Sequence, residues 1–262
     1  MTLDVEGLGF SYGRREVLRD ISLSTGEGIT SLIGPNGAGK STLVKCLAGI
    51  HRPGSGTAFF NGLELISGKR DPDLRVAYMP QDQPCTTKMT VLEVILLGRV
   101  RSLSIKVSED DMEHCYGALE DLNIEELAER PFNQLSGGQC QMVMVAQCLA
   151  SDPDMIILDE PINNLDLRRQ LEMFETMNRM TKKNGLTTLM VLHDINLAAR
   201  YSDRLAVMGN GRMHGYGTPS ETITEEMLED VYGVKAIVDR GRFGIPRIEP
   251  ICSCSCRRGC HP

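Results

Sequence analysis

The stretch Gly34–Thr42, GPNGAGKST, constrains this chain more than any other. It fits G-x-x-x-x-G-K-[ST] at every required position, follows the short apolar run GITSLIG and opens the helical pattern STLVKCLAG, which Gly49 closes. Strand, glycine-rich turn and helix in that order put backbone N–H groups and a helix N-terminus around a phosphate. The backbone of Gly34, Pro35, Asn36, Gly37, Ala38 and Gly39 is expected to approach the phosphates. Lys40 then places its ammonium on the β- and γ-phosphates, Ser41 offers a hydroxyl to Mg²⁺, and Thr42 completes the loop. A unit of this kind needs a parallel sheet around it, so the fold class expected is α/β.

The rest of the chain is read around that loop. From Thr2 to Ser24 short runs broken by glycines, LDVEGLGFSYG and EVLRDISLS, predict antiparallel strands, and GTAFFNGLEL adds another with a hairpin turn at Asn61-Gly62. Between about Met89 and Asn133 strand character is lost. TVLEVILLGRV and SEDDMEHCYGALEDL read as helices, the second opened by a capping box at Ser108 and Asp111. Alternation then returns: a helix over 138–150, strand MIIL, a helix over about 167–183, strand TTLMVL, a helix over 196–201, and a hairpin turning at Asn210-Gly211. Short apolar strands alternating with helices mean a buried parallel sheet. The domain expected spans 1–238, with a helical subdomain at about 89–137 inserted into the α/β core. Residues 239–262 form a C-terminal extension ending in a cysteine-rich tail.

Several polar residues stand where such a fold presents chemistry. MIILDEP ends a buried strand with Asp159 and Glu160, and burying two carboxylates is costly unless a cation or a reaction needs them. Asp159 is expected to hold Mg²⁺ and Glu160 to orient or deprotonate an attacking water; a capping acidic pair just past a strand is the plainer alternative. His193 follows TTLMVL, so its ring should emerge at the carboxyl edge of the sheet, where it could reach a γ-phosphate or remain structural. His51, His114, His214 and His261 are read as surface or packing residues. Gln81 in YMPQD lies between the first α/β section and the helical insertion, where its amide can reach Mg²⁺ or the water. Tyr12 in FSYG could stack on an adenine or face the core.

A second cradle follows about a hundred residues after the first. In NQLSGGQCQMV, Ser136, Gly137, Gly138 and Gln139 again set N–H groups at a helix N-terminus. GPNGAGKST, MPQD, LSGGQ, MIILDEP, NNLD and LHD, in that order, resemble the ATP-binding subunit of an ABC transporter over nearly the whole chain, from about Leu3 to Val238. The resemblance implies a P-loop NTPase core of the RecA-like kind, with an N-terminal antiparallel β subdomain and the inserted helical subdomain. It also explains the two cradles. In that family two subunits associate head to tail, and the Ser136-Gly137-Gly138-Gln139 loop of one closes over the γ-phosphate held by the other.

By the same resemblance ATP and Mg²⁺ are the cofactors. Tyr12 stacks on adenine, Gln81 serves Mg²⁺ and couples to the membrane subunit, Asp166 makes contact across the dimer, and His193 meets the γ-phosphate. The partners implied are a second copy of the chain, integral membrane permease subunits and, indirectly, a substrate-binding protein. The place implied is the cytoplasm, peripheral on the inner face of the cell membrane. LLGRV, NNLDLRRQLE, LHDINLAARYSDRLAVMGNGR and VYGV are similar to ATPases of importers for ferric siderophores, haem and cobalamin, with ferric siderophore the favoured cargo. Arginines usual in relatives are replaced by Cys140 and Met142, which removes positive charge near the expected dimer interface. Ile162 stands where threonine is common.

Composition excludes some alternatives. A net charge of -7 without a basic stripe argues against nucleic-acid binding. The longest apolar runs fall short of a membrane span, and the N-terminus lacks the order of a signal peptide. A soluble ABC-type ATPase working on ribosomes or DNA is the alternative function, but such relatives carry two cassettes or a long coiled-coil insertion. An inactive regulatory module is the third, and Glu160 and His193 give no reason to prefer it. Of 9 cysteines, Cys46, Cys140 and Cys148 are read as small buried hydrophobes in helices, and a disulfide framework is not expected. Cys252, Cys254, Cys256 and Cys260 with His261 could bind a metal or cluster, though their spacing is standard for neither.

Overall fold

The computed structural model describes residues 1–66, 71, 73–81, 86–100, 107–163, 165–241 and 243–253. Cys85, Cys254, Cys256, Cys260 and His261 lie outside the described residues, and with them the metal-binding tail considered from sequence. The elements run β1 (Leu3–Tyr12), β2 (Arg15–Thr25), β3 (Gly28–Ile33), α1 (Lys40–Leu47), β4 (Ser55–Phe60), β5 (Leu63–Glu64), β6 (Val76–Met79), α2 (Val91–Leu96) and α3 (Glu109–Asp121). They continue with α4 (Gly137–Ala150), β7 (Met155–Asp159), α5 (Leu167–Asn184), β8 (Thr187–Val191), α6 (Ile195–Tyr201), β9 (Arg204–Gly209), β10 (Arg212–Gly217), α7 (Pro219–Thr222), α8 (Glu225–Tyr232), β11 (Val234–Arg240) and β12 (Pro246–Ser253). The chain divides into two compact units, residues 1–74 with 189–262, and residues 75–188.

The first unit holds an antiparallel sheet of order β2-β1-β4-β5 and, separately, strands in the order β10-β9-β3-β8. In the antiparallel sheet Leu3, Val5, Leu8, Leu18, Ile21 and Leu23 of β1 and β2 turn inward, the simple alternation being broken where the pairing shifts register between Val5 and Leu8. The turn between β4 and β5 has φ of 51° at Asn61 and 80° at Gly62, and that between β9 and β10 has 50° at Asn210 and 75° at Gly211. Both are the positive pairs that Asn-Gly tolerates, as the sequence predicts. β3 reads GITSLI and is buried along almost its whole length, as expected of a strand in the middle of a sheet; β9 lies parallel to it with Leu32 opposite Ala206.

In the second unit β6 and β7 are parallel, with Tyr78 opposite Ile157. α2, α3 and α4 lie against one another, and each starts on a capping box, at Thr90, Ser108 and Ser136. Each such cap stabilises its helix by about 1 kcal/mol. α4 is buried along most of its length: Val143, Val145 and Ala146 have 0% exposure, and fully burying each valine contributes roughly 1.5–3 kcal/mol. Arg99 ties this part together from inside, donating to Asp111 at 3.0 Å and Asp110 at 2.8 Å, so the buried guanidinium is matched by carboxylates. The Ser108 hydroxyl and N–H, aided by Arg99, hold the Asp111 carboxyl down to about 2.

Two findings correct the sequence reading. Cys140 and Met142 are buried, 4% and 2% exposed, so their replacement of arginines changes the interior of α4 rather than a charged face. Cys140 is disulfide-bonded, against the expectation of a small buried thiol, and Cys252, read from sequence as a possible metal ligand, is also in a disulfide. Helical periodicity reports burial but cannot tell which sulfurs come within bonding reach. In the extension beyond residue 238, β12 pairs antiparallel with β11 from Val234↔Ser253 to Arg240↔Pro246.

Candidate functional site

In the first unit the phosphate loop spans the step from β3 to α1. Gly34, Gly37 and Gly39 have φ of 149°, 80° and 100°, conformations that side chains of L-residues rarely adopt. At Gly34 the reason is also steric, since a Cβ would lie 2.2 Å from the carbonyl oxygen of Met208 on β9. Ala38 N–H donates to the Pro35 carbonyl at 3.2 Å, closing the loop into a turn, and Gly211 N–H donates to the Ala38 carbonyl at 3.2 Å. Lys40 is only 5% exposed and its Nζ donates to the carbonyls of Gly34 at 2.7 Å and Pro35 at 3.0 Å. At the head of a helix this ammonium is placed to meet phosphate oxygens in charge-assisted hydrogen bonds, roughly twice as strong as neutral ones. Asn36 and Gly37 are exposed at the tip, and Ser41 and Thr42 are half-buried in the first turn of α1. The cradle therefore fits a nucleotide polyphosphate.

Tyr12 ends β1 with its ring 49% exposed, as a stacking platform requires. It is not alone. Its hydroxyl is 2.8 Å from Nε2 of His51, the imidazole stacks on Phe10 at 5.1 Å, and Phe10 meets Tyr12 edge-on at 4.8 Å. Sequence reasoning set His51 aside and did not single out Phe10; the one signal was that Phe10 and Tyr12 alternate along the same strand face. His193 is exposed, directly after β8 and beside Asp194, whose Oδ1 accepts from Leu197 N–H at 2.9 Å to cap α6.

In the second unit β7 is buried throughout and delivers Asp159 with 0% exposure and Glu160 with 7%. Burial, and the Asp159 carboxylate nearby, push the Tyr78 hydroxyl of β6 well above its ordinary range. Glu160 itself has a φ of 57°, a conformation that costs of order 1–3 kcal/mol for a residue with a side chain and is held only where its surroundings insist on it. Its Oε2 accepts from Nε2 of Gln81 at 2.8 Å and from Nδ2 of Asn163. The structure thus brings Gln81 and Glu160 together, and it adds Asn163, which sequence reasoning did not single out. Gln81 follows β6 and is exposed.

The second cradle is the start of α4. Ser136 Oγ accepts from the Gln139 N–H at 3.3 Å and Gln139 Oε1 accepts from the Ser136 N–H at 3.0 Å, so those two residues cap each other. Gly137 and Gly138 are the first helical residues, and N–H groups there have no acceptor within the helix. Ser136 and Gly137 are exposed, open to a ligand from outside this unit. Asp166 caps α5 by accepting from Arg169 N–H at 2.9 Å and is likewise exposed. Ile162 is 8% exposed, an apolar anchor for the turn after Glu160.

A strand–phosphate-loop–helix unit with a strand-end Asp-Glu pair and a second, exposed cradle defines a P-loop ATPase. The model of the ABC transporter family matches residues 18–163, and the chain belongs to that family as an ATP-binding subunit that binds and hydrolyses ATP. It is 37% identical over 239 residues to an iron(3+)-hydroxamate import ATP-binding protein of Bacillus subtilis, covering 90% of this chain and 89% of that one. It is 36% identical over 255 residues to a hemin import ATP-binding protein of Thermobifida fusca, covering 96% and 89%. Among solved structures, one described as a metal-chelate type ABC transporter in an inward-facing conformation superposes with a TM-score of 0.82 at 26% identity, covering 95% of this chain and 97% of that one. The ribosome- or DNA-acting alternative receives no support from these relatives.

Proposed function

We propose that this chain powers a membrane importer for iron chelates, ferric siderophore first and haem second. The observation that carries the reading is identity of 36–37% along nine-tenths or more of the chain to import ATPases for both kinds of cargo. No helix among the described residues is long and apolar enough to cross a membrane, so the path for cargo belongs to permease subunits. The chain docks on them from the inner face of the membrane, through the helical insertion near 89–137, and a substrate-binding protein delivers the chelate.

Each site residue has its part in this reading. Tyr12 stacks on adenine, the backbone from Gly34 to Thr42 cradles the phosphates, and Lys40 bridges the β- and γ-phosphates. By the family resemblance the Ser41 hydroxyl in the first unit, and the Gln81 amide oxygen and buried Asp159 carboxylate in the second, would each serve Mg²⁺, a cation that takes oxygen donors. Bound there, Mg²⁺ would neutralise charge on the β- and γ-oxygens. Glu160 orients the attacking water and takes its proton, while His193 donates to the γ-phosphate. Ser136, Gly137, Gly138, Gln139 and Asp166 act on the nucleotide of a second copy, so ATP joins the two copies and hydrolysis releases them.

The test is uptake by cells lacking this chain, supplied in turn with a ferric hydroxamate and with haem. Wild-type chain should restore uptake of one of them, and Glu160→Gln should not. Equal uptake of both cargoes with and without the chain would overturn the proposal.

A further inference from the structure

We propose that Asn163 is a positioning residue for Glu160, holding the carboxylate in its water-facing orientation through hydrolysis. The proposal rests on the reading of Glu160 as the group that activates water. Nδ2 of Asn163 donates to Oε2 of Glu160, the same oxygen that accepts from Gln81 at 2.8 Å. One oxygen pinned by two amide donors leaves the carboxylate little rotational freedom.

The two donors are not equivalent. Gln81 is exposed and follows β6, nearly eighty residues away in sequence, and it has a second duty toward Mg²⁺ in the proposed mechanism. Asn163 sits on the same turn as Glu160. Its own N–H donates to the Glu160 carbonyl at 3.3 Å, and the reversed backbone at Glu160, with a φ of 57°, folds the turn back so that the amide reaches the carboxylate. Ile162, 8% exposed, anchors that turn from below, and the Leu165 N–H bond to the Ile162 carbonyl at 3.2 Å continues it. Asn163 therefore keeps its hold on Glu160 when Gln81 is drawn elsewhere. A neutral amide orients a base without pairing its charge, whereas lysine or arginine at this position would compete for the electron pair that takes the proton from water.

The experiment measures steady-state ATP hydrolysis and equilibrium ATP binding for Asn163→Ala and the isosteric Asn163→Asp, alone and in a Glu160→Gln background. Asn163→Asp keeps the side-chain shape but sets a second carboxylate against Glu160, so urea unfolding of both variants accompanies the kinetics and Asn163→Ala is the variant free of added charge. Both single variants should lose about tenfold or more in kcat, the cost of a slightly misplaced reacting group, with KM and ATP affinity unchanged. Asn163→Gln, which keeps the donor, should recover part of the rate. In the Glu160→Gln background neither variant should lower the residual rate further, since Asn163 acts through Glu160. Unchanged kcat, an equal loss in both backgrounds, or a matching loss of ATP affinity would each overturn the role of Asn163. Full activity of Glu160→Gln alone would instead overturn the reading of Glu160.

Discussion

Replacing Gly34 by alanine separates two costs that the phosphate loop imposes on its first residue. With a φ of 149° the backbone itself disfavours a side chain, at of order 1–3 kcal/mol. In addition the new Cβ would lie 2.2 Å from the Met208 carbonyl oxygen, about 1 Å inside ordinary contact, so β9 or the loop must move; overfilling of this kind costs about 1–3 kcal/mol. The sum is about 2–6 kcal/mol. Gly62→Ala supplies the reference, because Gly62 has a φ of 80° and nothing within 4 Å of its would-be Cβ, leaving strain alone. Urea unfolding of the two variants against the parent measures both, and the difference between them is the clash together with the extra strain of a φ of 149° over one of 80°. Because Lys40 Nζ donates to the Gly34 carbonyl at 2.7 Å, Gly34→Ala should also weaken ATP binding by tenfold or more, while Gly62→Ala should leave it unchanged. If Gly34→Ala unfolded at the same urea concentration as Gly62→Ala with parental ATP affinity, the steric account of the loop would be refuted.

Other expectations follow from the same structure. Tyr12→Ala should weaken ATP binding by about 5- to 150-fold, the range of about 1–3 kcal/mol for a base stacked on an aromatic ring, read by titration with a fluorescent ATP analogue. Glu160→Gln should bind ATP but stall, so a dimer of about twice the chain mass accumulates with ATP in size-exclusion chromatography; a variant that stayed monomeric in ATP while the parent dimerised would contradict the role of the second cradle. The Asp111 carboxyl, held at about 2 against an ordinary 3.8, contributes stability that is present above its ordinary value and lost as pH falls toward 2. Asp111→Asn should therefore flatten the fall in stability below pH 4, as followed by acid unfolding. Burial pushes the Cys46 and Cys148 thiols to about 12 and that of Cys115 to about 11, so at pH 8 these three should resist alkylation until urea exposes them, as mass spectrometry would show.

What the sequence makes legible follows from how local each signal is. The loop at Gly34, the Asn-Gly hairpins and the capping box at Ser108 each depend on residues within a few positions of one another, and all are found as read. β7 and β8 were legible because strands buried on both faces are dominated by short apolar runs, MIIL in the one and LMV in the other. Asn163 was not, because an asparagine three residues after a glutamate reads as turn composition. Only the reversed backbone at Glu160 turns its amide toward the carboxylate. His51 was missed for the complementary reason: it lies 39 residues from Tyr12 and meets it through tertiary contact alone.

The claim that this chain drives a membrane importer is tested most directly by isolating the tagged protein from its native cells in gentle detergent and identifying by mass spectrometry what accompanies it. A polytopic membrane protein in equal amount is the predicted result, and that protein would lead to the cargo. Ribosomal or other soluble proteins in its place would contradict the account.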